Sequence, residues 1–600
     1  MNKHLFRYLL TAGLLATTSG AAWAIKANPK PITIKQPDGT TLVIRVHGDE
    51  NFHYITTTDG FLIQRDKDGY FKYVQTDATQ GTRRLTARRA TNADKRSADD
   101  NSFVSTLRPI RREADAEWLK SLRGDIRPMT VDQTLPANVR SRKVNAQTGE
   151  AKESEYLVVL VKYADGEFHF TDSDFEAWLN EKGYSKNGST GSVKDYYRDN
   201  SMGQFVPNFT VLGPYTLDHE RTYYAADFGG TGNDVNPQAL VIEAAQKAKA
   251  DHPEIDFSKF DNDGDGYMDN INVIIGGYSQ ASSGDDKDMW PHSYRLKTDD
   301  KDLSIEIDGI RVNNYSVSAE LVGASGVAMD GIGTFTHEFG HILGLKDMYD
   351  TDDYDGGIGI DPGAYSLYAS GSYNNNSRTP AALMTFERIQ MDKSQLIKLD
   401  KPADVTLPLM TTNTAAYVDA RPGLAEGEGY EWYVFENRQQ TGWDSYIPYH
   451  GLLIYHLDYT QSMVNKYWSV NGPNNNARHR CMYIVPADGI DDTNTRKDDT
   501  YPGTTGTTEF TDYTNWLGDK VRTPITNIRE EGGLIYMQVK GGVTEQSSIL
   551  TQPIDFADIT SNSVNVKAKL GKATQDISEM GFCWSDETEE PTLNPSDSKH

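Results

Sequence analysis

The chain has 600 residues, of which 37% are hydrophobic and 10% aromatic, and its formal net charge is -26. Its length exceeds what one hydrophobic core organises, so roughly two to four domains are expected, and its richness in Gly, Asn, Asp and Tyr favours a loop-rich α+β chain over a helical bundle. The acidity argues against nucleic acid as the main partner, because a phosphate backbone is gripped by clustered Lys and Arg.

In chain order, Lys3 and Arg7 precede an apolar run from Tyr8 to about Ala16, and Ala22-Trp23-Ala24 ends it in a small-x-small pattern. Met1–Ala24 therefore reads as a secretory leader cleaved after Ala24, which implies export, with attachment at the cell surface also open. No later stretch approaches the roughly 18 apolar residues of a membrane-spanning helix. Cys481 and Cys583 are the only cysteines. A disulfide scaffold is thus excluded, and two buried thiols are expected rather than a bridge.

Residues 25 to about 80 alternate apolar and polar positions around Asp-Gly turns, as a small β module does. Residues 81–150 then carry 15 Lys and Arg against nine Asp and Glu, a basic window in an acidic chain that reads as a linker. Together, residues 25–150 are expected to form a pro-segment, nicked between about Arg83 and Lys152 by an activating protease. With no cysteine before residue 481, latency through a cysteine thiolate is excluded.

From Tyr156 the pattern is that of a mixed α/β catalytic domain, expected over 151–400. "YLVVLVKY" and "DNINVIIGGY" read as buried strands; "TDSDFEAWLNEKG", "SVKDYYRDN" and "NPQALVIEAAQKAKA" read as capped helices. A β-rich domain is expected over 401–545, and the opening half of an immunoglobulin-like or fibronectin-like sandwich over 546–600.

The stretch "THEFGHILGLKDMYD" carries the chemistry. On a helix, His337 and His341 project from one face and can ligate one ion, while Glu338 is rotated about 100° towards a bound water. A metal-bound water with a carboxylate beside it is the apparatus of amide hydrolysis. Catalytic zinc takes a third protein ligand. Gly344 permits the chain to turn back by a positive φ, which brings Asp347, and after it Asp350, within reach. The pattern H-E-x-x-H-x-x-G-x-x-D is an aspartate variant of the metzincin arrangement.

Taken with "YSLYASGSY", "TPAALMTFER", "STGSVKDYYRDNSMGQFVPNF", "MWPHSY", "ENRQQTGWDSYIP" and "HGLLIYHLD", this motif resembles the immune inhibitor A family of secreted bacterial metallopeptidases over about residues 30–540. The resemblance implies a zincin-type, metzincin-like fold and a secreted zinc endopeptidase made with a pro-segment. It also implies zinc on His337 and His341, with Glu338 as the catalytic base. Where the family usually places a Met beneath the metal, this chain has Tyr368.

"DNDGDGYMD" sets Asp261, Asp263, Asp265 and Asp269 at calcium-loop spacing, although position 12 is Asn272 rather than Glu, so a structural Ca2+ site short of a full EF-hand is expected. His292 in "WPHSYRL" is a candidate catalytic donor to a developing oxyanion, and Tyr365, Tyr368 and Tyr373 are further candidate donors. The expected function is a secreted zinc endopeptidase acting on protein or peptide substrates. The alternatives are an exported adhesin built on a peptidase-like scaffold and an exopeptidase.

Overall fold

The computed structural model describes residues 23–50, 52–77, 82–110, 153–226, 233–298, 301–352, 359–391, 395–410, 414–543, 549–552, 563–564 and 566–570. The expected leader apart from its last two residues, the basic stretch 111–152, most of the expected sandwich and Cys583 lie outside the described residues. Two short strands of the sandwich region, Ile549–Gln552 and Lys567–Leu570, pair antiparallel.

A two-residue strand, β1 (Trp23–Ala24), precedes a six-stranded antiparallel meander of β2 (Ile32–Lys35), β3 (Thr41–Gly48), β4 (His53–Thr57), β5 (Leu62–Arg65), β6 (Phe71–Asp77) and β7 (Thr82–Arg89). Asp-Gly pairs make three of its turns, with Gly39, Gly60 and Gly69 at φ between +81 and +90°, a backbone region open to glycine at little strain. Of the basic window read as linker, residues 82–110 are described, and they form a strand and a short helix. Its arginines have acidic partners: Arg88 pairs with Asp99 and Asp100, Arg89 with Asp38 and Arg96 with Asp59. Helix α1 (Ala98–Val104) follows, closed at its start by a Ser97–Asp100 capping box.

The central sheet runs in the order β1, β11, β14, β10, β8, β9. It is built from β8 (Ser154–Lys162), β9 (Pro207–Thr216), β10 (Ile271–Tyr278), β11 (His292–Arg295) and β14 (Asn314–Leu321), with a hairpin of β12 (Ile305–Ile307) and β13 (Ile310–Val312) beside it. Strands β14, β10, β8 and β9 are parallel, and β11 joins antiparallel. The continuous apolar run of β8 follows from its central place, where both faces are covered. Tyr156, Val158 and Leu160 enter one core; Leu157, Val159 and Val161 enter the other.

The first of those cores receives helices α2 (Asp172–Asn180) and α3 (Val193–Asn200), and the second receives α4 (Pro237–Asp251). Helix α5 (Ile332–His341), which carries the zinc motif, lies against the first core through Ile332, Phe335 and Phe339. With two glycines, Gly333 and Gly340, and two threonines, Thr334 and Thr336, its helical propensity is poor. Burial of every one of its residues holds it instead.

After α6 (Thr385–Gln390), β15 (Gln395–Lys398), β17 (Thr414–Asp419), β18 (Gly429–Arg438), β19 (Gly451–Thr460) and β20 (Met482–Ile484) form a five-stranded sheet, and β16 (Ala403–Leu407), β21 (Ile525–Glu531) and β22 (Leu534–Val539) form a second. The β-rich region is not an independent body, since Val434, Leu453, Tyr455 and Met482 share the core of α5. Arg438, fully buried, pairs with Glu436 and Asp444 and donates to the carbonyls of Tyr365 and Ala382, fixing the segment that carries Tyr368 against His337 and His341.

Candidate metal centre

Helix α5 divides its faces by spacing. Phe335 and Phe339 enter an aromatic cluster with Trp178, Tyr156, Tyr197, Phe205 and Phe209, which leaves His337 and His341 on the opposite side. After His341 the helix ends, and Gly344 takes φ +86°. The returning chain brings Asp347 back over the histidines.

The two imidazole Nε2 atoms lie 3.2 Å apart. Asp347 Oδ1 is 3.1 Å from that of His337 and 3.7 Å from that of His341. Three ligands on a tetrahedral zinc with bonds of about 2.0–2.1 Å sit about 3.3–3.4 Å apart, so the set fits that ion. The tautomers agree: His337 Nδ1 donates to the Leu367 carbonyl at 2.9 Å and His341 Nδ1 to the Leu345 carbonyl at 2.8 Å. With the protons on Nδ1, both Nε2 lone pairs face each other and a carboxylate oxygen, all within a buried pocket. Such an arrangement is repulsive until a cation stands between the atoms. Burial, above all, pushes His341 down to about 3, which favours the neutral, ligating imidazole.

Between the two aspartates left open by the motif, the geometry separates the roles. Asp350 Oδ2 accepts from the Gly359 N–H at 2.7 Å and stands outside the converging set. Asp347 is held by Asn471, whose Nδ2 donates to Oδ2 at 2.6 Å and whose Oδ1 accepts the Asp347 N–H at 2.9 Å. That leaves Asp347 Oδ1, buried and without a hydrogen-bond partner, directed at the histidines. Asn474 and Asn475 extend the clamp to Met348 and Thr351.

Tyr368 supplies the floor expected of the Met position. Its ring centroid lies 4.9 Å from that of His337 and 5.2 Å from that of His341. Its hydroxyl, however, turns away from the metal ligands towards the His337 carbonyl. Glu338 is buried, and burial first, then the Asp347 charge, pushes its carboxyl well above the ordinary range. A divalent cation opposes that shift. One of its oxygens, Oε1, accepts the backbone N–H of Ile25 at 2.8 Å, and Oε2 has no hydrogen-bond partner.

The N-terminal module reaches this centre at two points. Besides Ile25, the buried Glu50, in the turn after β3, has its carboxyl raised by burial and by the charges of Asp49, Asp347 and Glu338. Ring stacking of His53 on Trp290, with centroids 4.7 Å apart, and an Arg65–Asp285 pair at 3.1 Å fasten the module to the central sheet. Ile25, Glu50 and Asn471 carry no local signal, because their role arises from contacts over 100 residues or more.

The other expected site residues stand elsewhere. His292 is buried on β11, its Nδ1 against the Trp290 carbonyl at 2.8 Å and its Nε2 against the Tyr315 hydroxyl at 3.2 Å; burial lowers it to about 4. Tyr365 Oη donates to the carbonyls of Tyr449 and Arg496, and Tyr373 Oη to that of Lys26. Asp261, Asp263 and Asp265 offer oxygens within 4.8 Å of one another, whereas Asp269 accepts from Asn262 and is not one of that group. Cys481 is free and buried.

Residues 144–396 match the family model described as the immune inhibitor A peptidase M6 catalytic domain. An immune inhibitor A from Bacillus thuringiensis subsp. alesti is 29% identical over 268 residues, 38% of this chain and 38% of the relative. Pre-pro-metalloprotease PrtV from Vibrio cholerae serotype O1, strain M66-2, is 26% identical over 235 residues, 34% of this chain and 23% of the relative. The chain thus spans well under half the length of the curated relatives it matches. The likeness to the immune inhibitor A peptidases is shown, and the matched stretch contains His337, Glu338, His341 and Asp347. Among the described residues, no helix is long and apolar enough to cross a membrane.

Proposed function

We propose that the peptidase domain belongs to an exported zinc endopeptidase that its own N-terminal module holds latent. The observation that carries the reading is the convergence of His337 Nε2, His341 Nε2 and Asp347 Oδ1 within 3.7 Å, with Glu338 next to the first histidine. Zinc bound there supplies Lewis acidity and a water of lowered pKa. Glu338, next to His337, would hold the proton given up by an attacking water and deliver it to the leaving amine as the C–N bond breaks.

Two features support the finer terms. Described backbone lies on both sides of Glu338, with Trp23–Ala24 paired to β11 and Lys26 beyond, which suits a cleft open at both ends and hence internal cleavage. The approach of Ile25 and Glu50 to the centre supports latency, since both occupy space that a substrate needs. For the loop holding Asp261, Asp263 and Asp265 we propose structural calcium, supported by the carboxylates' convergence.

Zinc content and casein cleavage, measured on the purified chain after proteolytic removal of its N-terminal module, beside Glu338→Ala treated in the same way, test the reading. About one zinc in each, with cleavage by the wild type alone and a loss of about a thousandfold or more in the variant, is expected. Equal cleavage by the two overturns the role of Glu338, and no zinc in either overturns the metal assignment.

A further inference from the structure

Removal of a leader ending at Ala24 leaves Ile25 and Lys26 in the chain, and these two residues lie at the metal centre. The Ile25 N–H donates to Glu338 Oε1 at 2.8 Å, which sets the segment over that carboxylate. From there the peptidase domain holds its backbone at three successive points. The Ile25 carbonyl accepts from Trp290 Nε1 at 2.8 Å, the Lys26 carbonyl accepts from Tyr373 Oη at 2.6 Å, and the Asn28 N–H donates to the Ala281 carbonyl at 3.1 Å. None of the three bonds involves a side chain of the held segment.

The two donors stand on different elements. Trp290 leads into β11, and its own backbone N–H is tied to Asp234 Oδ2 at 3.2 Å. Tyr373 ends the short turn Gly371–Tyr373, in the loop that also carries Tyr368. Both rings are buried, in one apolar cluster with Ala281, so the indole and phenol tips are fixed in place. Among the described residues, the carbonyl each donor reaches is its one hydrogen-bond partner. Buried Tyr and Trp tips usually find partners within their own domain. Here both end on the N-terminal module, the part that the latency reading removes, and its departure leaves two fixed donors facing the cleft beside Glu338.

Resting on the peptidase reading, we propose that Trp290 and Tyr373 are substrate-binding residues. The indole N–H and the phenol O–H take the carbonyls of two consecutive residues of a bound polypeptide, in the places now filled by Ile25 and Lys26. The ligand is polypeptide backbone, independent of side-chain identity, since main-chain hydrogen bonds supply the affinity. Their spacing sets the demand on length, because a small amide reaches one donor and a chain reaches both.

A casein-derived peptide that the chain cuts at one bond after removal of its N-terminal module, with the bond located by mass spectrometry, is the probe. In a companion series each carbonyl flanking that bond, the cut one excepted, is replaced in turn by a thiocarbonyl, a poor acceptor. The wild type is expected to lose about fivefold or more in kcat/KM at two consecutive positions. Tyr373→Phe and Trp290→Phe should each lose a similar factor on the parent peptide, and each should be insensitive to sulfur at one of those two positions, as a contact already removed requires. Melting temperature and zinc content check the folding of the variants, and the wild-type series stands without them. Cleavage of the parent peptide with no two consecutive sensitive carbonyls, or with losses that multiply at every position in both folded variants, overturns the assignment of Trp290 and Tyr373 alone. No cleavage of casein or of any peptide by the processed wild type overturns the peptidase reading and this assignment with it.

Discussion

Asn471 grips Asp347 by two hydrogen bonds, side chain to side chain at 2.6 Å and side chain to backbone at 2.9 Å, across 124 residues of sequence. The amide takes one carboxylate oxygen and leaves the other to the histidines. Such partners orient a ligand and typically matter 10–100-fold in metal affinity. Asn471→Ala is therefore expected to weaken zinc binding by about that factor in a competition titration against a chelator. Asp347→Asn should lose most of the metal, and Asp350→Asn should retain it; the reverse order would return the third-ligand role to Asp350.

Gly340 lies on the helix between the two histidines, and a Cβ added there meets Tyr368 Oη at 1.7 Å and Tyr197 Oη at 2.9 Å. The tyrosine has nowhere to go, because its ring is buried against both metal-site imidazoles. Gly340→Ala, although it raises helix propensity, is expected to destabilise the fold by about 1–3 kcal/mol through overpacking. Double substitution with Tyr368→Phe should recover part of that loss, and chemical denaturation of the four proteins reads the coupling. Additive effects would show that Tyr368 does not set the requirement for glycine.

The zinc helix, its turn at Gly344 and the central strands were legible because their signals are local. His337 and His341 need only helical spacing, and the alternating burial of β8 needs only an apolar run long enough to be covered on both faces. Window composition misled at Thr82–Arg89, where charge density read as linker although Arg88 pairs with Asp99 at the start of α1 and Arg89 with Asp38 in the first turn of the meander. Asn471 was illegible for a related reason. Asparagine directly before Gly-Pro signals a turn, and nothing local says what the turn's side chain will hold.

The acidic loop gives an ion-dependent prediction. Asp263 is raised by partial burial and by the neighbouring Asp265 and Asp261, a repulsion that a bound cation relieves. Millimolar Ca2+ is expected to raise the melting temperature by several degrees, as binding to the native state alone does. Asp263→Asn should shrink that gain. An unchanged melting temperature in the wild type would remove calcium from this loop.

His292 gives a pH signature. Its folded value of about 4 lies below the ordinary 6.5 because burial opposes its charged form. The unfolded chain therefore takes up the proton first as pH falls, and stability is lost between about 6.5 and 4 while being fully present above that window. At 1.36 kcal/mol per unit the loss is roughly 3 kcal/mol. His292→Gln, which keeps hydrogen-bonding capacity without titrating, is expected to lack that part of the acid slope. Parallel slopes for the two proteins in denaturation from pH 7.5 to 4 would show that this imidazole does not stay neutral in the fold.

The latency proposed above would rest on the contacts that hold Ile25 over Glu338. Lys26 anchors the segment one residue on, by an ion pair with a buried carboxylate. Reversing the charge sets two carboxylates against each other where one is already desolvated, an arrangement several times more costly than loss of an exposed pair. The segment should then leave the cleft more often. Lys26→Glu is expected to raise the casein-cleaving rate of the unprocessed precursor at least about tenfold, without changing the rate after the N-terminal module has been removed, since residue 26 is absent from that form. Precursor rates equal to those of the wild type would mean that the Lys26–Asp361 contact does not hold the module over the site, and that Glu50 or the sheet contacts around His53 and Trp290 keep it there instead.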